Sequence, residues 1–149
     1  EEFTITELIK RVNILMKHEL KNAYIYMNVV MKTDENQVIK GNVNSLVQVV
    51  NNMISNAIQA YDGKHDKNIE LTVNKKENNI VISITDFAGG LPQEVKDRLF
   101  KEMVTTKGKN GTGLGLYMSY SNIKAHFGGD ITYVTETGKG TTFNIIIPI

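Results

Sequence analysis

Gly111-Thr112-Gly113-Leu114-Gly115-Leu116 is the stretch on which the reading of this chain turns. Glycine at every second position lets a backbone approach a ligand closely. Leu114 and Leu116 continue into an apolar pattern of helical period, so the run opens a helix and is not a flexible linker. The unpaired N–H groups and positive dipole end of such a helix suit anionic oxygens. Two common phosphate templates fail here: Gly108-Lys109 is followed by Asn110 where GxxxxGK[ST] needs Ser or Thr, and no strand runs directly into the glycines as GxGxxG requires. P-loop and Rossmann assignments are therefore rejected, and the rest of the chain must supply the fold.

With 149 residues, 41% hydrophobic and 22% charged, the expectation is one domain over 1–149 with its own core. The net charge of +1 and the lack of a long basic run give no footprint of a nucleic-acid binder. No cysteine is present, which excludes disulfides and thiolate metal sites. No apolar run reaches the roughly 18 residues of a membrane span, and no signal peptide is visible. A start at Glu1-Glu2-Phe3 without methionine fits a piece cut from a longer protein, whose membrane segments would lie outside it.

Ile5, Leu8, Ile9, Val12 and Leu15 recur at helical spacing, with Thr4 or Thr6 as cap. From Ala23 to Met31 every odd position is apolar, which predicts a strand; Asp34-Glu35-Asn36 turns, and Gln37 to Lys40 is its expected partner strand. Asn42 or Asn44 caps a second helix running to about Tyr61, with a broad apolar face from Val43 to Ile58. Leu71 to Ile84 reads as a hairpin closed by Lys75 to Asn79. Pro92 suits the first turn of a short helix carrying Val95, Leu99 and Phe100. Lys101 to Asn110 is expected to be a mobile loop. A third long helix, Leu114 to Phe127, stops at Gly128-Gly129, and a last hairpin joins Ile131–Thr135 to Thr142–Ile147 around Gly138-Lys139-Gly140.

Gln48, Asn52, Asn56 and Gln59, spaced four, four and three apart, form one polar stripe on the second helix. Taken alone the stripe reads as a solvated face. The rest of the helix is so apolar, however, that the amides are expected to line a cavity, and an amide oxygen is a suitable ligand for magnesium that already carries phosphates and waters. Asp86 follows the strand ending at Thr85 and precedes Phe87-Ala88-Gly89-Gly90. Locally it reads first as an ordinary Asp turn. A carboxylate there can also accept from the exocyclic amine of a base, with the two glycines removing side chains that would block a flat ring.

In this order the parts resemble the GHKL superfamily of ATPases and kinases, and most of all the catalytic ATP-binding domain of bacterial two-component sensor histidine kinases. Asn52-Met53-Ile54-Ser55-Asn56-Ala57 is similar to the family's asparagine box, Asp86 to Gly90 to its first glycine box, and Phe100 with Thr105-Thr106-Lys107 to its phenylalanine box. Gly111 to Leu116 matches the second glycine box, and Gly140-Thr141-Thr142-Phe143 the last strand. The implied fold is an α/β two-layer sandwich: a mixed, largely antiparallel sheet covered on one face by three helices. The implied ligand is ATP with Mg2+. Asn56 would hold the metal, Asn52 would line the same site, Asp86 would read the adenine amine and Gly90 would let the ring lie close. Lys107 would reach the terminal phosphates, the backbone of Gly111, Thr112, Gly113, Leu114 and Gly115 would wrap them, and Thr141 would support the adenine through water.

The chain departs from the family pattern at Ala88, at Met103 in the phenylalanine box, and at Gln59, which stands where many of these kinases place a basic phosphate contact; Lys64 is a substitute. The implied function is a protein histidine kinase domain that donates the terminal phosphate to a histidine on a separate dimerisation helix of the same parent. A response regulator would be reached through that absent domain. The implied location is cytoplasmic, with no nucleic-acid or membrane contact by this domain. His18-Glu19-Leu20-Lys21-Asn22 resembles the phosphoacceptor box, but too few residues separate His18 from Asn52 for a second helix of similar length. A surface loop histidine is expected instead. The rivals are a GHKL ATPase or anti-sigma serine kinase, whose glutamate base is replaced here by Asn52, and a nucleotide-sensing module without transfer activity.

Overall fold

In a computed structural model of the chain, residues 1–91, 94, 97 and 112–149 are described, with side chains from residue 116 onward in the last span. The elements are β1 (Glu2–Thr4), α1 (Ile5–Ala23), β2 (Ile25–Met31), β3 (Val38–Lys40), α2 (Val43–Ala60), β4 (Lys67–Lys76), β5 (Asn79–Asp86), α3 (Thr112–Phe127), β6 (Asp130–Glu136) and β7 (Gly140–Pro148). Five strands form one sheet in the order β2-β4-β5-β7-β6. Its β2–β4 pair is parallel and the other pairs are antiparallel. The three long helices pack on one face, with α2 touching α1, α3 and the central strands. This is the expected two-layer sandwich.

The period of two explains which face the helices cover. Ile69, Leu71 and Val73 of β4, Ile80, Ile82 and Ile84 of β5, and Phe143, Ile145 and Ile147 of β7 are all buried beneath them. The opposite face is mixed, with Val81 paired to Ile146 beside polar pairs. There Ser83 Oγ donates to Asn144 Oδ1 at 2.7 Å, and the Thr85 and Thr142 hydroxyls pair at 2.8 Å. Asp86 and Thr141 continue the inward-facing alternation of β5 and β7 and are themselves buried, so two polar groups stand where an apolar residue would extend the core.

Local chemistry sets the helix ends. Thr4 Oγ1 accepts from Glu7 N, and Asn42 Oδ1 accepts from Asn44 N at 2.8 Å and Ser45 N at 3.3 Å, so Thr4 and Asn42 are the caps. Gly128, at φ +63, ends α3, where the Gly128 and Gly129 N–H groups donate to the Lys124 and Ile123 carbonyls. No helix among the described residues is long and apolar enough to cross a membrane.

Four expectations need correction. Val38–Lys40 pairs with Glu2–Thr4, a strand with no period long enough to read, and β2 pairs with β4 instead. Lys32 N extends the β4 ladder by donating to Val73 O. A turn closed by Gln37 N to Asp34 O then carries the chain to the N-terminus, where Phe3 and Ile39 pair and are both buried. The first helix continues to Ala23, so that residue is not in the strand and His18 is an exposed helical residue, not a loop one. Its buried stripe is Ile5, Leu8, Val12 and Met16; Leu15 is 62% exposed. The expected short helix after Pro92 falls mostly outside the described residues, though Glu94 and Asp97 are helical. The expected loop from Lys101 to Asn110 lies outside them entirely.

Candidate functional site

The site is assembled around α2, whose apolar face is buried while its amide stripe faces outward. Gln48, Asn52 and Gln59 are exposed and Asn56 is half-buried. Gln48 and Asn52 line a cavity of about 360 Å³ against Met118, Ser119, Asn122 and His126 of α3, so part of the stripe does face a cavity. Asn52 Nδ2 donates to Ser119 Oγ at 3.2 Å, and Asn122 Nδ2 donates to Ser45 O at 3.2 Å. These bonds, with buried Leu116 and Ile123, dock on α2 the helix that the glycine run opens. Thr112, Gly113, Leu114 and Gly115 form its first turn in backbone; Gly111 and Lys107 lie outside the described residues, as do Phe100, Met103, Thr105 and Thr106.

Beyond the C-terminal end of α2 stands Asp86, only 5% exposed. Its Oδ1 accepts from Ala88 N at 3.0 Å, the Asx turn expected locally, and the Thr141 N–H, opposite it in register, is a second donor. No salt bridge among the described residues reaches it. Burial pushes its pKa above the usual carboxylate value, while the two backbone N–H groups pull the other way. An ionised carboxylate has about four lone-pair sites, so two backbone bonds leave capacity for a further donor. A buried acceptor of this kind suits an amine brought by a ligand.

The turn after Asp86 is fastened to the β6–β7 turn. Gly138 N donates to Gly89 O at 2.9 Å and Leu91 N to Thr135 Oγ1 at 2.8 Å; Thr135 and Thr141 hydroxyls lie 2.9 Å apart. Gly90, at φ +84, leaves no room for a side chain, because a Cβ would fall 2.5 Å from the Glu136 carbonyl oxygen. Its smallness therefore serves protein packing on that side. Gly89, at φ +99, has nothing within 4 Å of a Cβ position. Gly140 was expected in the last hairpin and at the start of the last strand, and a Cβ there would lie 2.0 Å from the Asp86 carbonyl oxygen.

Tyr61 is the residue that pattern reading missed. It ends α2, is 3% exposed, and its hydroxyl donates to Asn68 O and accepts from Phe87 N at 2.7 Å. A buried tyrosine hydroxyl needs a partner, which is the signal that was available. Burial raises its pKa, the Phe87 N–H lowers it, and nearby Asp86 adds to the rise. No cluster of three His, Cys, Asp or Glu able to hold a metal occurs among the described residues. Neutral amides and one carboxylate fit a metal that arrives already coordinated by phosphates better than a free ion. Lys64 is exposed in the turn after Tyr61.

The α/β sandwich thus presents a buried carboxylate at a strand end, beside a helix with an amide stripe and a second helix opened by glycines. The chain belongs to the family described as histidine kinase-, DNA gyrase B-, and HSP90-like ATPase, whose profile matches residues 41–149. It is 33% identical over 147 residues to sporulation kinase C of Bacillus subtilis, covering 97% of this chain and 33% of that protein. It is 36% identical over 111 residues to the sensor histidine kinase ZraS of Escherichia coli, covering 74% of this chain and 23% of that protein. The chain thus spans about a third or less of these relatives. A catalytic domain of the histidine kinase ThkA superposes with a TM-score of 0.80 at 27% identity, covering 99% of this chain and 94% of that one.

Proposed function

We propose that this chain is the catalytic, ATP-binding domain of a sensor histidine kinase. It would donate the terminal phosphate of Mg-ATP to a histidine on a separate dimerisation domain of the same parent, from which a response regulator is served. A solved complex of ThkA with the response regulator TrrA, matched by fold, supports this partner class. The carrying observation is Asp86, buried at the end of β5 with no cationic partner among the described residues, in a chain of this family. In this reading Asp86 holds the adenine amine, with Thr141 beside it. Asn56 holds Mg2+, Asn52 and Gln59 line the phosphate side, and Lys107 with the Gly111 to Gly115 backbone contacts the phosphates. Bound there, Mg-ATP supplies the transferable phosphoryl group, and the metal supplies charge neutralisation. The chain's own residues position the nucleotide and restrict its motion. Asn52, a neutral amide engaged with Ser119, has no basicity with which to activate water, which favours transfer over hydrolysis. The proposed setting is the cytoplasmic portion of a parent kinase.

Calorimetry with ATP, with and without magnesium, tests this reading. Wild type is expected to bind ATP more tightly when magnesium is present, and Asn56→Ala to lose that gain while keeping the magnesium-free affinity. Absence of nucleotide binding by wild type would refute the reading. Steady ATP hydrolysis by the chain alone, lost in Asn52→Ala, would place it with the ATPases.

A further inference from the structure

We propose that Tyr61 is a positioning residue for base recognition, acting through the backbone of Phe87 on Asp86. The inference rests on the assignment of Asp86 as the adenine reader. The Asp86 turn has two attachments. One is the β6–β7 turn, through Gly89–Gly138, Leu91–Thr135 and the close approach of Gly140. The other is the Tyr61 hydroxyl, which accepts from Phe87 N at 2.7 Å and in turn donates to Asn68 O at the start of β4. Tyr61 is thereby the side chain that joins the end of α2, the helix of the amide stripe, to the residue next to Asp86. Sequence distance separates the two by 26 residues, so nothing local would hold this spacing.

The hydroxyl also answers a packing demand. Phe87 N lies just past the last residue of β5, where the ladder to β7 ends, and the Tyr61 hydroxyl supplies the acceptor that the ladder no longer provides. Without the Tyr61 hydroxyl the turn keeps only its attachment to the β6–β7 turn, and the carboxylate is held less tightly on the α2 side. Discrimination of the base then falls more than overall affinity, because the phosphate side of the nucleotide touches other elements.

The test compares Tyr61→Phe with wild type for two magnesium nucleotides, ATP and purine riboside triphosphate, which lacks the exocyclic amine. Wild type is expected to prefer ATP by about tenfold or more, the usual worth of a charge-assisted hydrogen bond. Tyr61→Phe is expected to lower that preference about five- to tenfold, mostly through weaker ATP binding, with affinity for the amine-free nucleotide within about twofold of wild type. Equal losses for both nucleotides would mean a structural role only and would overturn the proposal, as would an unchanged preference. A wild type without preference for ATP would instead remove the assignment of Asp86 on which the proposal stands. As an independent check on the unmodified chain, amide hydrogen exchange at Phe87 is expected to be slow, and rapid exchange there would overturn the role of Tyr61.

Discussion

Replacing Asp86 by asparagine separates what this residue does for binding from what it does for the fold, because the two effects have opposite signs. Asparagine keeps an Oδ1 to accept from Ala88 N but exchanges the remaining oxygen for a donor, which under the proposed role of Asp86 would face the adenine amine donor to donor. A hydrogen bond to a charged group contributes about 1.5–3 kcal/mol, so ATP affinity should fall about 10- to 150-fold. Stability should move the other way. Burial holds the Asp86 pKa above its ordinary value, so the folded chain binds this proton more tightly than the unfolded chain does. The resulting contribution is full below the unfolded pKa and is lost as pH rises through the folded one. Asp86→Asn removes that loss. Urea unfolding of nucleotide-free protein between about pH 4 and pH 8 should therefore show the variant gaining on wild type as pH increases, alongside calorimetry showing weakened ATP. A variant that binds ATP like wild type, or whose stability difference is independent of pH, would refute the reasoning.

Other changes test individual joints of the structure. Asn42→Ala should cost about 0.5–2 kcal/mol in urea unfolding, since the Asn44 and Ser45 N–H groups lose their cap. Asn52→Ala should cost about 0.5–1.5 kcal/mol by removing the donor to Ser119, whose hydroxyl is buried, and should loosen α3 on α2 as seen by faster amide exchange in α3. Gly90→Ala should destabilise by more than about 1–3 kcal/mol, the strain of a positive φ alone, because the Glu136 carbonyl must also move; a thermal melt within a degree of wild type would contradict this.

What could be read in advance was whatever repeats along the chain. Alternation located β4, β5, β6 and β7, and an Asn before an apolar run located the cap of α2. Pattern misled in α1, where Ile14 and Leu15 are 63% and 62% exposed despite being apolar, and the buried position passes to Met16. It was silent on β1, because three residues contain no period, and it located β3 but gave it the wrong partner. The site divides the same way. The four amides and Asp86 were visible as residue types at a spacing, and the Asn52–Ser119 contact gives the stripe its partner. Tyr61 and the Glu136 carbonyl behind Gly90 were not, because each acts through an atom supplied from far along the sequence.

The placement of β7 has a consequence for synthesis. It lies inside the sheet between β5 and β6, although it is the last of these strands in the chain. On a ribosome, β5 would emerge with Ile80, Ile82 and Ile84 along an unpaired edge, and Asp86 would lack both Thr141 and the Gly140 contact. The surroundings of Asp86 are complete only once β7 has been delivered. Until β7 emerges, the growing polypeptide exposes a β-rich edge of the kind chaperones cover.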